Sequence, residues 1–281
     1  MQLLNVTEII VEKSVLYSLS LGRDVLVDFY LPRNVEDPSS LGLLLINDGQ
    51  NMEELGLEKI LADLYAANRI RPLLCAAIYT GAERKMEYGV ASTPDYAGRG
   101  AKAGLYTEFI LDELIGYIKT TYAIPSFAEQ AFAGFSLGGL SALDIVFNHP
   151  DHFNKVGVFS GSFWWRSRSQ DDPSYDDNKH RIMHQVVRHG AYKDGMKFFF
   201  QTGSLDETND RNNNGVIDSI DDTMDLIREL EDKGYRMSRD INYLELPLGH
   251  HDIPTWAQAM PFFLLWGWGI RSLRDDNVPA G

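Results

Sequence analysis

A serine flanked by glycines near the middle of the chain offers the clearest chemistry. The segment reads Gly134-Phe135-Ser136-Leu137-Gly138 and falls between a predicted strand and a predicted helix. This pattern is typical of a sharp turn that exposes a serine hydroxyl, because flanking side chains would collide with the neighbouring strand and helix. The Leu137 N–H would then point towards the oxyanion of a tetrahedral intermediate. We therefore predict Ser136 as a nucleophile, the alternative being a capping serine in a glycine-rich turn.

A serine hydroxyl needs a base, which in this kind of site is a histidine further along the chain. His251 follows the last predicted strand and precedes the last predicted helix, and we predict it as the base. His250 is adjacent and stays open as an alternative. His180 and His184 have the i,i+4 spacing of some metal sites, but no third ligand is obvious, so we expect them on a surface helix.

A carboxylate should complete this group by holding the histidine in the correct tautomer and stabilising the imidazolium. Asp206 lies just beyond the predicted strand Lys197–Gln201, at the end where catalytic groups collect in open α/β sheets. We predict Asp206 in this role. Glu207 is the alternative by the same argument from placement.

A second oxyanion donor is expected in the loop after the predicted strand Leu41–Ile46. The loop reads Asn47-Asp48-Gly49-Gln50-Asn51, in which Gly49 permits a sharp turn. We predict the Gln50 backbone N–H as the donor. The alternative is an ordinary Asp-Gly turn, since such dipeptides mark turns in many proteins.

A separate pattern in residues 210–221 matches a calcium-binding loop. Oxygen ligands fall at positions 1, 3, 5, 7, 9 and 12 and glycine at position 6, as the wrap around a hard cation requires. The preceding helix of an EF-hand is missing, and position 12 is Asp rather than Glu. We expect a structural Ca²⁺ ion, the alternative being a polar surface loop, and the predicted ligands are Asp210, Asn212, Asn214, Val216, Asp218 and Asp221.

These residues must be positioned by a regular alternation of strands and helices. An antiparallel hairpin is predicted over 7–19 and 24–31, and buried strands over 41–46, 72–78, 131–135, 155–159, 197–201 and 242–246. Helices are predicted over 55–68, 105–122, 137–148, 179–188, 221–233 and 254–272. This alternation favours one doubly wound α/β domain with a mainly parallel sheet, spanning residues 1–281.

Composition and charge limit the kinds of molecule that the protein is expected to bind. The 281 residues include 40 acidic and 26 basic side chains, giving a formal charge of −14, which disfavours nucleic acid and anionic membranes. Cys75 is the single cysteine, so no internal disulfide can form. The first residues lack the pattern of a targeting segment, and we expect a cytoplasmic protein. The oligomeric state is left open.

The resemblance to a known family rests on several segments spread over most of the chain. They are Asp48-Gly49-Gln50-Asn51, Arg84 with Glu87-Tyr88, Glu113-Leu114-Ile115 with Tyr122, Gly134–Gly139, Ser160-Gly161-Ser162-Phe163-Trp164-Trp165, and Gly249-His250-His251-Asp252 with Trp256. Together they resemble the esterase D-type esterases of the α/β-hydrolase superfamily, closest to the enterochelin-esterase-like branch and more distantly the mycolyltransferases. The resemblance implies the α/β-hydrolase fold, with Gln50 at the family's oxyanion position. His251 takes the histidine position of Gly-Gly-His-Asp-x-x-x-Trp, and His250 replaces its second glycine.

The resemblance also implies a substrate-binding role for Arg84, since siderophore esterases of this branch carry an arginine there. A guanidinium offers planar, charged donors to carboxylate, phenolate or carbonyl oxygens. The alternative is a salt bridge to Glu83 or Glu87. Trp164 and Trp165 are expected to line an aromatic pocket, with core packing as the alternative for one of them.

The combined prediction is a serine carboxylic-ester hydrolase that works through Ser136, His251 and Asp206 and forms an acyl-enzyme. No cofactor is expected for catalysis, and the partner is a small-molecule ester of aromatic acyl, sugar or siderophore type. One alternative is an acyltransferase with the same residues and a different acceptor. Another is a ligand-binding protein that keeps a hydrolase scaffold without its chemistry.

Overall fold

One mixed sheet organises the part of the chain that the computed structural model describes, which is residues 8–33, 35 and 37–270. Its strands are β1 (Ile9–Ser18), β2 (Arg23–Pro32), β3 (Gly42–Asn47), β4 (Leu73–Ile78), β5 (Glu129–Phe135), β6 (Lys155–Phe159), β7 (Lys197–Leu205) and β8 (Ile241–His250). The order across the sheet is β1-β2-β4-β3-β5-β6-β7-β8. β1, β2 and β4 pair antiparallel, and all other neighbours pair parallel.

Helices connect the strands and cover both faces of the sheet. They are α1 (Met52–Leu55), α2 (Leu57–Ala66), α3 (Arg84–Glu87), α4 (Ala103–Glu108), α5 (Ile115–Thr121), α6 (Leu137–Asn148), α7 (Asp177–His180), α8 (Ile182–His189), α9 (Asp218–Lys233) and α10 (Ile253–Trp268). None of the helices in the described ranges is long and apolar enough to cross a membrane.

The central strands are apolar throughout because each face of the sheet has its own core. In β3, Leu43 and Leu45 point into the core shared with α4, α5, α6, α8 and α9. Leu44 and Ile46 alternate with them and point into the core shared with α1, α2 and α10. A strand covered on both faces is expected to lack polar alternation, as its sequence indicated.

The predicted fold class and its N-terminal hairpin are confirmed, and the predicted strands are all present with shifts at their ends. Three predicted helices are interrupted instead of continuous, two of them as follows. The helix predicted over 105–122 contains a π-helical segment, Phe109–Leu114. The helix predicted over 55–68 divides at Gly56, whose φ of 74° is left-handed and ends α1.

The third interrupted helix and the start of α9 also differ from the prediction. The segment predicted over 179–188 divides at Arg181, which has extended backbone angles between α7 and α8. α9 begins at Asp218 instead of Asp221. For the last helix, residues 271 and 272 lie outside the described residues.

Candidate active site

Ser136 occupies a strained turn between β5 and α6. Its φ of 53° and ψ of −122° are rare for a residue with a side chain and cost about 1–3 kcal/mol. The flanking glycines are required by contact, since a Cβ at Gly134 would lie 2.3 Å from the carbonyl oxygen of Gly138. α6 starts at Leu137, so its N–H belongs to the first turn, whose amides have no acceptor within the helix. The sharp turn predicted from the sequence is therefore present.

The loop after β3 lies directly against this turn. The Asn47 side-chain amide donates to the Gly138 carbonyl oxygen at 2.7 Å, and the Tyr106 hydroxyl donates to Asn47 Oδ1 at 2.5 Å. A 3-10 turn, Gly49–Asn51, then carries the exposed Gln50. A Cβ at Gly49 would lie 2.6 Å from the Ala77 carbonyl oxygen, so glycine lets this turn pack onto β4.

Arg84 forms a two-pronged ion pair with Asp48 and no pair with the acids beside it in sequence. Its Nε and Nη2 donate to Oδ1 and Oδ2 at 2.6 and 2.7 Å, and its guanidinium stacks 5.1 Å from the Tyr88 ring centroid. The expected partners are engaged elsewhere, Glu83 with Lys102 and Glu87 with Arg23. The alternative that Arg84 forms a salt bridge to Glu83 or Glu87 is therefore wrong. The partner is 36 positions away in sequence.

Asp206 and His251 directly follow the ends of two neighbouring strands, β7 and β8. Leu205, the last residue of β7, pairs with His250, the last residue of β8, so the next residues emerge side by side. A bulge in β8 creates this register, because Gly203 pairs with Leu246 and the chain then skips ahead to His250. The structure thus brings the predicted acid and base to the same edge of the sheet as Ser136.

The electrostatics of this pair follow from burial and mutual charge. Burial raises the pKa of Asp206 above its ordinary value, although the Gly203 backbone, the Ser160 hydroxyl and the charge of His251 oppose the shift. Part of His251 is exposed, yet loss of water around the ring lowers its pKa below the ordinary value. The negative charges of Asp206 and Asp252 counteract this effect on the His251 pKa, and Arg84 adds to it.

The two alternatives to this pair, Glu207 and His250, have contacts of their own. Glu207 accepts from the Asn209 side chain at 3.1 Å, and its pKa is raised by burial and by the nearby charge of Asp218 at the start of α9. His250 is exposed, and its backbone N–H donates to the hydroxyl of Thr255 on α10 at 2.9 Å. The contact of Glu207 with Asn209 favours Asp206 as the acid, and His251 follows the residue of β8 that pairs with the end of β7.

A turn that the sequence reasoning left without a role contacts the nucleophile. In the turn after β6, the buried Ser162 hydroxyl lies 3.3 Å from the Ser136 hydroxyl, and its N–H donates to the Ser136 carbonyl. The buried Ser160 precedes it with a left-handed φ of 47°. Both serines stand in the motif quoted for the family resemblance, which was the available signal.

The two tryptophans of this motif have different environments. Trp165 is fully buried, and a Cβ at either Gly89 or Gly100 would lie 3.0 Å from its ring. The core-packing alternative therefore holds for Trp165. Trp164 is half-buried, and its ring lies 5.1 Å from the guanidinium of Arg99. Of the two tryptophans, Trp164 is thus the one with an accessible part of its side chain.

His184 is buried, so the expectation of a surface position is wrong for this residue. Its Nε2 lies 2.9 Å from the carbonyl oxygen of Asp222 on α9. Burial lowers the pKa of His184 to about 3, and the neighbouring Arg181 contributes in the same direction. The helix carrying His184 packs against α9, which the sequence pattern did not reveal.

The loop at 210–221 has the internal hydrogen bonds of a tight wrap. The Asp210 carboxylate accepts from the backbone N–H groups of Asn214 and Gly215 at 3.1 and 2.9 Å. Asp221 Oδ2 accepts from the side-chain amides of Asn212 and Asn214, both at 2.8 Å. Four of the six predicted ligand residues are thereby held together.

Asp218 and Val216 are placed differently. The Asp218 carboxylate accepts from the Arg211 backbone at 2.9 Å and forms an ion pair with its guanidinium. Val216 donates its N–H to the Asn214 side chain at 2.8 Å. Among the residues described, no group of three or more His, Cys, Asp and Glu side chains could hold a metal ion. Three of the six predicted ligands are of other kinds, namely the Asn212 and Asn214 side chains and the Val216 backbone carbonyl.

The fold is shared with several solved esterase structures at low sequence identity. An enterobactin esterase from Shigella flexneri, solved with 2,3-dihydroxy-N-benzoyl-glycine, superposes with a TM-score of 0.68 at 18% identity, over 92% of this chain and 60% of that one. A ferulic acid esterase superposes with a TM-score of 0.67 at 17% sequence identity, over 92% of this chain and 98% of that one. The siderophore hydrolase EstB from Aspergillus nidulans superposes with a TM-score of 0.65 at 17% sequence identity, over 96% of both chains. This chain therefore spans about 60% of the length of the enterobactin esterase.

Comparison of the sequence with known families also leads to esterases. No curated protein matches this sequence. A family model described as "Putative esterase" matches residues 18–266, which is most of the chain. The resemblance stated from the motifs is confirmed, together with the expectation of an esterase at the level of the family. The chain belongs to the family described as "Putative esterase".

Proposed function

We propose that the protein is a serine carboxylic-ester hydrolase with Ser136 as nucleophile, His251 as base and Asp206 as the acid that orients it. The observation that carries this proposal is the placement of all three at the carboxyl edge of one sheet. Ser136 stands on a strained turn after β5, and Asp206 and His251 follow paired residues of β7 and β8. Membership of the esterase family supports the same reaction class.

The reaction follows from these roles. His251 takes the proton of the Ser136 hydroxyl as the oxygen attacks the ester carbonyl, and the Leu137 and Gln50 N–H groups stabilise the oxyanion. The imidazolium then gives the proton to the leaving alcohol, which leaves an acyl-enzyme. Water, deprotonated by His251, releases the acid and restores Ser136. Asp206 stays ionised and stabilises the imidazolium at each stage.

For the substrate we propose a small ester with an aromatic acyl group. The half-buried Trp164, stacked on Arg99, presents an aromatic surface beside the turn that contacts Ser136. Aromatic rings favour stacked or edge-to-face contacts with such a surface. The solved structures of similar fold include a ferulic acid esterase and an enterobactin esterase solved with 2,3-dihydroxy-N-benzoyl-glycine, and both ferulic acid and the benzoyl group are aromatic. A sugar ester and a siderophore-type ester are the other two classes expected from the sequence.

An acyltransferase would use the same residues and differ only in the group that accepts the acyl chain. Adding a primary alcohol to the assay distinguishes the two activities. A hydrolase releases mainly free acid, whereas a transferase diverts the acyl-enzyme to the new ester. A binding protein without chemistry would give neither product.

Labelling with a fluorophosphonate, detected by intact mass, tests the nucleophile. We expect one adduct on the wild type and none on Ser136→Ala. Ser162→Ala is the matched control, because it removes a hydroxyl 3.3 Å from that of Ser136 and should still be labelled. Folded wild-type protein without an adduct would contradict the proposal, as would an adduct that persists in Ser136→Ala.

We also propose that the loop at 210–221 binds a structural Ca²⁺ ion. The turns closed by Asp210 and the contact of Asp221 with two asparagine side chains support it. Oxygen-rich loops of this spacing suit Ca²⁺. Residue 210 follows Asp206 by four positions, so an ion here would stabilise the segment that carries the proposed acid.

A further inference from the structure

We infer that Trp256 and Ser160 act as a pair of positioning residues, in which the Trp256 indole directs the Ser160 hydroxyl proton towards the Asp206 carboxylate. This inference rests on the proposed function, because Asp206 matters only if it serves His251. Neither residue was assigned a role by the sequence reasoning.

The Trp256–Ser160 contact sets the direction of the hydroxyl. Trp256 Nε1–H donates to Ser160 Oγ at 3.0 Å, and both side chains are buried. An indole nitrogen can only donate, so the serine oxygen must accept in this bond. The hydroxyl proton of Ser160 is therefore free to be donated to another acceptor.

The acceptor that we infer for this proton is the Asp206 carboxylate. Both of its carboxylate oxygens are buried and, in the described part of the chain, have no hydrogen-bond partner of ordinary length and angle. Asp206 Oδ1 lies against β7, because a Cβ at Gly203 would be 2.8 Å from it, and the Ser160 N–H binds the same strand two residues earlier, at Gln201. In agreement with this placement, the Ser160 hydroxyl opposes the rise of the Asp206 pKa that burial causes. Contacts of catalytic groups are often long without substrate and shorten in the substrate complex. A buried carboxylate without partners is costly, so a donor at this place is favoured.

The backbone holds Ser160 in place for this contact. Its N–H donates to the Gln201 carbonyl oxygen on β7 at 2.8 Å, and the strand residue before it, Phe159, pairs with Gln201. The left-handed φ of 47° turns the chain sharply at Ser160. The backbone of Ser160 is consequently held beside β7, which ends one residue before Asp206.

The Trp256 ring also packs against the proposed base and against the residue that precedes the proposed nucleophile. Its ring centroid lies 5.3 Å from that of His251 in an edge-on arrangement and 5.0 Å from that of Phe135, the residue before the nucleophile. The ring thus packs against the base, while the indole N–H reaches the acid through Ser160. Replacing Trp256 with Phe keeps an aromatic ring and removes the N–H, which separates the two contributions.

Other titratable groups act on Asp206 and His251 and contribute to the pH profile. Asp252 and Arg84 act on His251 together with Asp206, and Asp252 also acts on Asp206. On β8, the phenol of Tyr243 has its pKa raised by burial, and the charge of Asp206 adds to the shift. Ser160 and Trp256 carry no charge, so their replacement leaves all of these groups in place.

The test measures kcat, KM and the pH profile of kcat/KM with p-nitrophenyl butyrate. Ser160→Gly removes the hydroxyl and suits the left-handed backbone, so strain is not added. We expect kcat to fall about tenfold in this variant, as for loss of a hydrogen bond to a charged group, with KM unchanged. The acid midpoint should move upwards, because an unshared carboxylate charge holds the His251 proton more strongly.

Trp256→Phe should lower kcat about threefold, because the hydroxyl remains but is no longer directed. The double variant should match Ser160→Gly, since Trp256 acts through Ser160 and the effects are then not additive. Trp268→Phe is the matched control on the same helix. The Trp268 indole nitrogen is buried with no partner in the described residues, and kcat should stay at the wild-type value.

Three outcomes would overturn the inference: a wild-type kcat in Ser160→Gly, fully additive losses in the double variant, or equal losses in Trp256→Phe and Trp268→Phe. If Trp256→Phe does not fold, the test uses Ser160→Ala, in which the downfield resonance of the His251 Nδ1 proton is measured by NMR. Loss of the Ser160 donor must move that resonance, and an unchanged resonance would also overturn the inference. Failure of the proposed function is distinguishable, because Ser136→Ala would then retain wild-type turnover.

Discussion

Arg84 holds both carboxylate oxygens of Asp48 in its planar fork, at 2.6 and 2.7 Å, with the Asp48 side chain buried. Asp48 has a left-handed φ of 61°, and its carboxylate lies against Gly138 so closely that a Cβ there would be 2.7 Å from Oδ2. The ion pair therefore connects the loop that carries Gln50 to the turn that carries Ser136. We interpret Arg84 first as a residue that positions this loop.

Removing Arg84 should leave a buried, unpaired carboxylate. We expect Arg84→Met to lower the free energy of unfolding by about 2 kcal/mol, less than for a wholly buried pair because Arg84 is partly exposed. Urea denaturation measures this free energy.

The double variant Arg84→Met/Asp48→Asn should recover part of the lost stability. Lys59→Met, which breaks an exposed pair with Asp63, should change the free energy of unfolding by less than about 0.5 kcal/mol. Additive losses in the double variant would contradict the prediction.

The pH dependence of kcat/KM should show an acid limb with its midpoint below 6.5. Burial lowers the His251 pKa, and only the neutral imidazole can take the Ser136 proton, so activity is lost as pH falls through that pKa. Arg84 contributes to the lowering, so Arg84→Met should move the midpoint upwards. The measurement is a series of initial rates with a chromogenic ester. A midpoint above 6.5 in the wild type would show that the environment of His251 has been misjudged.

The choice between the two acids can be made with isosteric amides. Asp206→Asn should reduce kcat by roughly 10⁴-fold, because the amide cannot stabilise the imidazolium and favours the wrong tautomer. Glu207→Gln, the matched control at the next position, should stay within about threefold of wild type, since its carboxylate faces Asn209. Steady-state kinetics with both variants decides. The reverse order of losses would assign the role to Glu207.

Calcium should raise the melting temperature if the loop at 210–221 binds it. At a free concentration 100 times the dissociation constant, we expect a shift of about 5 °C that a chelator reverses. Asp210→Ala should abolish the shift, because the Asp210 carboxylate closes the turn to Asn214 and Gly215. Asp232→Ala, at an exposed position of α9, is the control and should keep it. Identical melting curves with and without Ca²⁺ would refute the site.

Local patterns were enough to predict most of the strands and the order of the candidate site residues. The Gly134–Gly138 motif determines its own turn, since the contacts that exclude side chains are made by residues four positions apart. Asp206 and His251 could be placed because each directly follows a buried apolar strand, and parallel strands end at one edge of a sheet. Such features depend on short stretches of chain, which a sequence displays directly.

Only the tertiary structure decided which side chains meet across the molecule. It paired Arg84 with Asp48 instead of its neighbours, buried Trp165 and His184, and set the Ser160 hydroxyl beneath Trp256, 96 positions away. These contacts depend on strand register, on the bulge before His250 and on how the helices pack on the sheet. The sequence by itself determined the chemistry available and the edge where it gathers. The geometry that orients those groups arises from long-range packing, which no local pattern encodes.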